Sequence, residues 1–305
     1  MVTLFPELLD AFAAHGIPRK AVQQCALSLR AVNPRDFTDD PHRTVDDRPY
    51  GGGPGMVMRV EPLRKAIAAA HQWVAFEAAF EAQAGPDADL KAGSDALTVY
   101  LSPQGRVYNQ SMARQLAGRL NDRSNDRLND RSNEEAGGQP AFAAEPQPNL
   151  SSTTALVLVA GRYEGIDERL LASDIDCEWS VGDFVLSGGE LAALSVIDSI
   201  ARLLPDVLGN NESADNDSFG EDGLLDCPHY TRPHELDGEP VPDVLLSGDH
   251  AAIAKWRRRE ALHRTARRRP DLIKAAMDRA ILNKQDLDSL RELGFDLQRV
   301  ETGKP

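Results

Sequence analysis

Two rhythms of apolar and polar positions run along this chain. Short apolar runs end in glycine-bearing turns at three places. Thr98-Val99-Tyr100-Leu101 leads into Ser102-Pro103-Gln104-Gly105, Ala155-Leu156-Val157-Leu158-Val159-Ala160 into Gly161-Arg162-Tyr163-Glu164-Gly165, and Phe184-Val185-Leu186 into Ser187-Gly188-Gly189-Glu190. Such runs, bounded by turn formers, predict buried strands. Between and after them apolar residues return at helical spacing, as from Glu190 to Leu204. Strands alternating with helices predict an α/β fold around a largely parallel sheet covered on both faces. Ligands of such sheets bind beyond the carboxyl ends of the strands, so the three loops are expected to share one crevice. Taken singly, each glycine has the plainer reading of a residue that permits a turn. None of the loops matches a phosphate-binding Gly-x-x-x-x-Gly-Lys-Ser/Thr or a dinucleotide fingerprint, which leaves an ATPase or a nicotinamide enzyme unsupported.

Two stretches interrupt this alternation. Residues 76–94 are rich in Ala, Glu and Asp and read as a lengthened helix with its following loop. Residues 121–149 carry Asn-Asp-Arg-Ser, Asn-Asp-Arg-Leu and Asn-Asp-Arg-Ser in tandem, a repeat too short and polar for a solenoid and read as a surface loop. The expected organisation is a first domain over residues 1–205, a flexible acidic linker over 206–222, and a smaller helical domain over 223–305.

Charge changes the picture only locally. The 305 residues carry a formal charge of −14, which on its face opposes nucleic-acid binding. Yet Lys255-Trp256-Arg257-Arg258-Arg259 continues to Arg264 and to Arg267-Arg268-Arg269, and binding depends on where positive charge is concentrated. That run fits a phosphate-binding surface; a solvated helix face with internal salt bridges is the alternative. Cys25, Cys177 and Cys227 are scattered, which favours reduced thiols over a disulfide framework or a zinc site. Cys227 and His229 raise a nucleophile–base pair, disfavoured because sequence neighbours seldom form one in space. No basic segment followed by a long apolar run opens the chain and no apolar stretch approaches bilayer length, so a soluble cytoplasmic protein is expected.

The segment His42-Arg43-Thr44-Val45-Asp46-Asp47-Arg48-Pro49-Tyr50-Gly51-Gly52-Gly53-Pro54-Gly55-Met56 resembles a signature of the bacterial tRNA (guanine-N1)-methyltransferase (TrmD) family. Four further blocks match in order: Leu101 to Arg106, Gly161 to Arg169, Glu178 to Glu190, and Gly223 to Pro233. The likeness covers nearly the whole chain except the two interruptions and the extreme C-terminus. It implies a SPOUT-type α/β domain with a deep trefoil knot, which periodicity would not predict. It also implies a homodimer with active sites at the subunit interface and a helical C-terminal domain that helps hold tRNA. The reaction implied is transfer of a methyl group from S-adenosylmethionine to N1 of the guanine immediately 3′ of the anticodon.

Carried onto this chain, the resemblance assigns the cofactor to three loops. Tyr100, Leu101, Ser102 and Pro103 would form one wall and Gly161, Tyr163 and Glu164 a second. Val181, Gly182, Asp183, Phe184, Val185 and Leu186, followed by Gly188 and Gly189, would form the third. Ordinary core packing is the alternative for Val181, Val185 and Leu186. Neutral guanine holds a proton on N1, so the reaction needs a base there and a cation where charge develops on O6. The resemblance gives these roles to Asp217 and Arg202; composition alone would make Asp217 one more acidic linker residue, and Arg202 a helix-end charge. Glu164 is expected to meet the methionine amine or a divalent ion, with magnesium dependence a family expectation. Arg257, Arg258, Arg259, Arg267, Arg268 and Arg269 are candidates for phosphates, and His229 and Arg232 for RNA near the target base.

Some departures stand out. Met1 to Phe5 is short for a first strand, which places the expected true start upstream. Ala192 stands where relatives often carry proline, and Asp215 competes with Asp217 for alignment until Ser218-Phe219 decides for Asp217. Rival readings are a non-catalytic RNA-binding protein on the same fold, a SPOUT enzyme for ribose or ribosomal RNA, and a small-molecule α/β enzyme.

Overall fold

A computed structural model describes residues 1–81, 96–121, 155–208 and 217–295. They divide into two compact units, one reaching residue 208 and one starting at residue 217. The first unit runs through α1 (Pro6–Ala13), α2 (Gly16–Gln23), the short strands β1 (Asp46–Asp47) and β2 (Val57–Met58), and α3 (Val60–Glu81). It continues with β3 (Ala96–Val107), α4 (Gln110–Asn121), β4 (Ala155–Val159), α5 (Glu168–Asp174), β5 (Cys177–Ser180) and α6 (Glu190–Ala201). Helix α3 enters the 76–94 stretch as far as Glu81; the rest of it up to residue 94, and residues 122–149 of the second stretch, lie outside the described residues.

The sheet is parallel, in the order β4-β3-β5. Bridges from Val2 to Val159 and to Val32 extend it beyond β4, with Val2 N–H donating to Leu158 O at 2.8 Å and Ala160 N–H to Val2 O at 3.0 Å. Side chains alternate across a strand, and this decides the two cores. Leu97, Val99, Leu101 and Leu158 join Leu116, Val196 and Ile200 on one face, where α1, α2, α4 and α6 pack. Tyr100, Val157 and Val159 point the other way and meet Leu63, Ile67 and Leu170 of α3 and α5. Covering both faces explains why the strands read as nearly continuous apolar runs. The helices return the chain to the amino ends of the strands, and both long extra stretches fall there, between α3 and β3 and between α4 and β4.

One expected strand is corrected. Phe184-Val185-Leu186 lies in a loop, with Val185 85% exposed, and the third strand is Cys177–Ser180. That edge strand hides its signal, because it buries chiefly Trp179 and Ser180 while Glu178 stays partly exposed.

The second unit holds α7 (His250–Arg268), α8 (Pro270–Asp278) and α9 (Lys284–Glu292) around Leu224, Leu262, Ile273, Ala276 and Leu290. Asp249 caps α7 by accepting from the Ala251 and Ala252 amides, and Asn283 with Asp286 forms a capping box on α9. Among the described residues, no helix is long and apolar enough to cross a membrane.

Candidate active site

Parallel strands end at one edge of their sheet, so β3, β4 and β5 deliver their following loops to the same side. Pairing of β3 with β5 places Leu101 opposite Trp179 and then Arg106 opposite the same residue, so Ser102 to Gly105 bulge out of the ladder. Gly105 makes the return possible: a Cβ there would overlap the Glu178 carbonyl. The second and third loops are stitched by backbone. Gly189 N–H donates to Gly161 O at 2.9 Å, and Arg162 pairs with Gly188 as an antiparallel bridge. A Cβ on Gly189 would come 2.9 Å from the Ala160 Cα, and one on Gly161 would come 2.6 Å from the Tyr100 ring. Close approach, rather than turn formation alone, therefore fixes these glycines. Burial, helped by Glu178, pushes the Tyr100 hydroxyl up to about 12, which keeps the phenol neutral beside Gly161. A separate cavity of about 430 Å³, lined by Leu9, Trp73, Leu156 and Ile200 among others, shares no residue with these loops and is not this crevice.

A half-buried ion pair clamps the loops. Glu190, the first residue of α6, is 1% exposed and lies 2.9 Å from Arg162 Nε through Oε2. The directed hydrogen bonds reach Oε1, from Arg162 Nε at 3.1 Å and from the Thr3 hydroxyl at 3.1 Å. Arg162 Nη1 also donates to Ser187 O at 3.2 Å, and its guanidinium lies over the Phe5 ring. The first strand, the second loop and the third loop are thus held through one carboxylate, itself favoured by the helix N-terminus.

The glycine-rich segment joins the same edge. β1 and β2 form an antiparallel ladder whose connection carries Arg48 to Met56, with Tyr50 98% exposed at its tip. Met56 O accepts from the Glu164 amide at 2.9 Å, and Gly165 O from Met58 N–H at 3.0 Å. Gly55 leaves room for the Glu164 side chain, which a Cβ would overlap. In the sequence this segment stands out only as a signature. The available signal for a site role was its four glycines, whose φ values of +78° to +114° are costly for other residues. Glu164 itself is exposed, and among the described residues it belongs to no cluster of three metal-ligating side chains.

The remaining third-loop candidates divide. Val181 and Leu186 pack partly against the core, whereas Asp183, Phe184 and Val185 are exposed. Arg202 is the C-cap of α6, whose N-cap is Gly189. Twelve helical residues at 1.5 Å each put it about 18 Å from the loops of its own chain.

Asp217 belongs to the second unit. Its carbonyl accepts from Gly220 N–H at 3.0 Å, while Ser218 Oγ accepts from Asp226 N–H at 3.0 Å and Leu224 O from Phe219 N–H at 2.7 Å. Of the expected linker, residues 209–216 lie outside the described residues, and 217–222 form a turn bonded into this unit. His229 Nε2 lies 2.7 Å from Asp226 Oδ2. Burial opposes ionisation of Asp226, but hydrogen bonds from His229 and the Cys227 amide outweigh it and hold its carboxyl below the usual range. Burial and Asp226 push the Cys227 thiol up, and His229 is bonded to Asp226, so no nucleophile–base pair forms. Asp226, Cys227 and His229 stand close enough to share a cation, but two of them already satisfy each other.

The arginine run also splits. Arg258 is half-buried, with Nη2 2.9 Å from Asp286 Oδ2 and a second ion pair to Asp222. Arg269 pairs with Asp271 at 2.6 Å. Arg257, Arg259, Arg267 and Arg268 are exposed on α7, and Arg232 is exposed beside the 226–230 segment.

Comparison with known proteins adds an independent line. The family model described as tRNA (Guanine-1)-methyltransferase TrmD matches residues 1–121 and 135–275. Similar relatives include the tRNA (guanine-N(1)-)-methyltransferases of Pseudoalteromonas translucida, 47% identical over 90% of this chain and 86% of the relative, and of Psychromonas ingrahamii, 48% identical over 90% of each. That of Chromohalobacter salexigens is 47% identical over 92% of this chain and 87% of its own length.

Proposed function

The chain belongs to the tRNA (Guanine-1)-methyltransferase TrmD family, and on that premise we propose that it methylates N1 of the guanine immediately 3′ of a tRNA anticodon, using S-adenosylmethionine. The observation that carries this reading is the gathering of three motif loops at one sheet edge, tied by Gly189–Gly161 and Arg162–Glu190. Bound there, S-adenosylmethionine supplies an electrophilic methyl group on a sulfonium. The residues fit such a group: Gly161, Gly188 and Gly189 let the loops pack backbone to backbone, which leaves main-chain amides and carbonyls at the edge, and neutral Tyr100 packs against Gly161.

In this reading Asp217 removes the N1 proton as the methyl arrives, and Arg202 meets the charge that develops on O6. An arginine about 18 Å from its own loops favours a homodimer in which one chain's Arg202 serves its partner's cofactor. The trefoil knot implied by the family is kept within this proposal, supported by the backbone pairing of Arg162 with Gly188 and of Gly189 with Gly161. The second unit is assigned to tRNA, with Arg257, Arg259, Arg267 and Arg268 towards phosphates and His229 and Arg232 nearer the target base. Arg258 braces the unit instead, because both sides of its guanidinium are taken by carboxylates. A tRNA substrate favours a cytoplasmic location. No step is assigned to magnesium.

The deciding experiment is methyl transfer to a transcript with guanine 3′ of its anticodon, beside a matched transcript with adenine there. Digestion products containing 1-methylguanosine from the guanine transcript alone are expected. Absence of product from both, with protein that binds S-adenosylmethionine, would overturn the assigned target.

A further inference from the structure

The second unit carries an aromatic pair that neither the cofactor edge nor the proposed proton transfer uses. The Tyr230 and Trp256 rings lie 6.2 Å apart and are tilted by 56°, a contact that engages a ring edge rather than burying two faces. Tyr230 remains 49% exposed, and Trp256 is partly exposed on α7. Arginines lie close to the segment that carries Tyr230. Arg264 Nη1 donates to Cys227 O at 3.4 Å, the field of Arg257 acts on the Cys227 thiol, and Arg232 is exposed two residues beyond Tyr230. At 100° per residue, Arg257, Arg264 and Arg268 share one stripe of α7 adjoining the side of Trp256. Asp226, the acidic group at the start of this segment, is engaged by His229, and Glu260 lies 3.9 Å from His263.

We propose that the Tyr230–Trp256 pair is a stacking platform for an unpaired base of the tRNA substrate, with Arg257 beside it for the adjoining phosphate. The chemistry selects this partner: an open aromatic face wants a flat π-system, and a cationic border wants an anion at nucleotide spacing. A duplex hides its base faces, so the platform distinguishes loop from stem. The proposal rests on the tRNA reading above and names a residue set that reading does not require.

The test is equilibrium binding of the full-length protein to the guanine-bearing transcript at several salt concentrations, with a fully paired RNA of equal length beside it. Tyr230→Leu keeps apolar bulk but has no π face, and is expected to weaken transcript binding about tenfold. The slope of affinity against salt should stay that of the wild type, because no phosphate contact is removed. Tyr230→Phe should bind the transcript like the wild type, and binding of the paired RNA should be the same for all three. Wild-type affinity in Tyr230→Leu overturns the platform, as does an equal loss in Tyr230→Phe or an equal loss on paired RNA. A fall in S-adenosylmethionine affinity or thermal stability that accounts for the whole effect also overturns it. The wild-type methylation assay is read separately. A protein that binds the transcript through Tyr230 but forms no 1-methylguanosine keeps the platform and loses the proposed reaction.

Discussion

The loop edge of the first unit and helix α7 of the second both depend on arginine, but the two regions use it differently. At the loop edge one arginine, Arg162, is enclosed with Glu190 and ties three chain segments together. Backbone and glycine then make the surface that a ligand would meet. On α7 the arginines are many and mostly exposed, and their duties are divided: Arg258 is held between Asp286 and Asp222 while Arg257 and Arg259 face solvent. A half-buried pair has one geometry and tolerates little change. An exposed row has many near-equivalent members, each with a small effect. Loss of a residue in the first region should therefore be felt as structure, and in the second as affinity, with Arg258 the exception.

Several substitutions would break or sharpen that contrast. The largest effect is expected at Asp217, which lies in the second unit yet is assigned to chemistry. Asp217→Asn should lower the single-turnover methylation rate by roughly 10²–10⁴-fold, with S-adenosylmethionine affinity unchanged by calorimetry. A near-normal rate would remove it from the reaction. Next is Glu190→Ala, which leaves the buried Thr3 hydroxyl and the Arg162 guanidinium without their acceptor and should cost about 1–3 kcal/mol in denaturant unfolding. Stability within about 0.5 kcal/mol of wild type would mean the clamp is dispensable. Arg258→Ala should cost about 1–3 kcal/mol by leaving buried Asp286 short of a partner, while the salt slope of tRNA binding stays unchanged. If that slope flattens instead, Arg258 touches phosphate and the division of α7 fails. Arg257→Ala and Arg259→Ala should do the reverse. Each is expected to leave stability within about 0.5 kcal/mol and reduce the salt slope by about 1, read from binding at several salt concentrations. The smallest effect concerns pH. Asp226 is held below its ordinary value near 3.8, so its contribution to stability is complete above that value and is lost as pH falls through the depressed one. Asp226→Asn should flatten the low-pH limb of an unfolding curve, and an unchanged limb would refute the assignment.

Legibility in the sequence followed the same divide. Strands β3 and β4 and helix α6 were readable because their residues are buried on a period that apolar side chains must respect. Strand β5 was not, since an edge strand with Glu178 carries little of that signal, and the exposed Phe184-Val185 imitated it. The loops announced themselves through glycine, but the reason for those glycines did not. Close approach of Ala160 to Gly189, or of Tyr100 to Gly161, is a fact of three dimensions. Likewise the run from Arg257 to Arg259 is uniform as text, and only the positions of Asp222 and Asp286 single out its middle member.

The placement of the two long extra stretches has a bearing on how such a protein can change in length. Both enter between a helix end and the start of a strand, Glu81 to Ala96 and Asn121 to Ala155, whereas the three loops assigned to the cofactor lie at the far ends of β3, β4 and β5. The family model passes over residues 122–134 and resumes without losing the motifs that follow. One rim of the sheet can thus take up added sequence while the other holds its spacing, which makes the amino rim the place to graft a reporter peptide or an affinity tag.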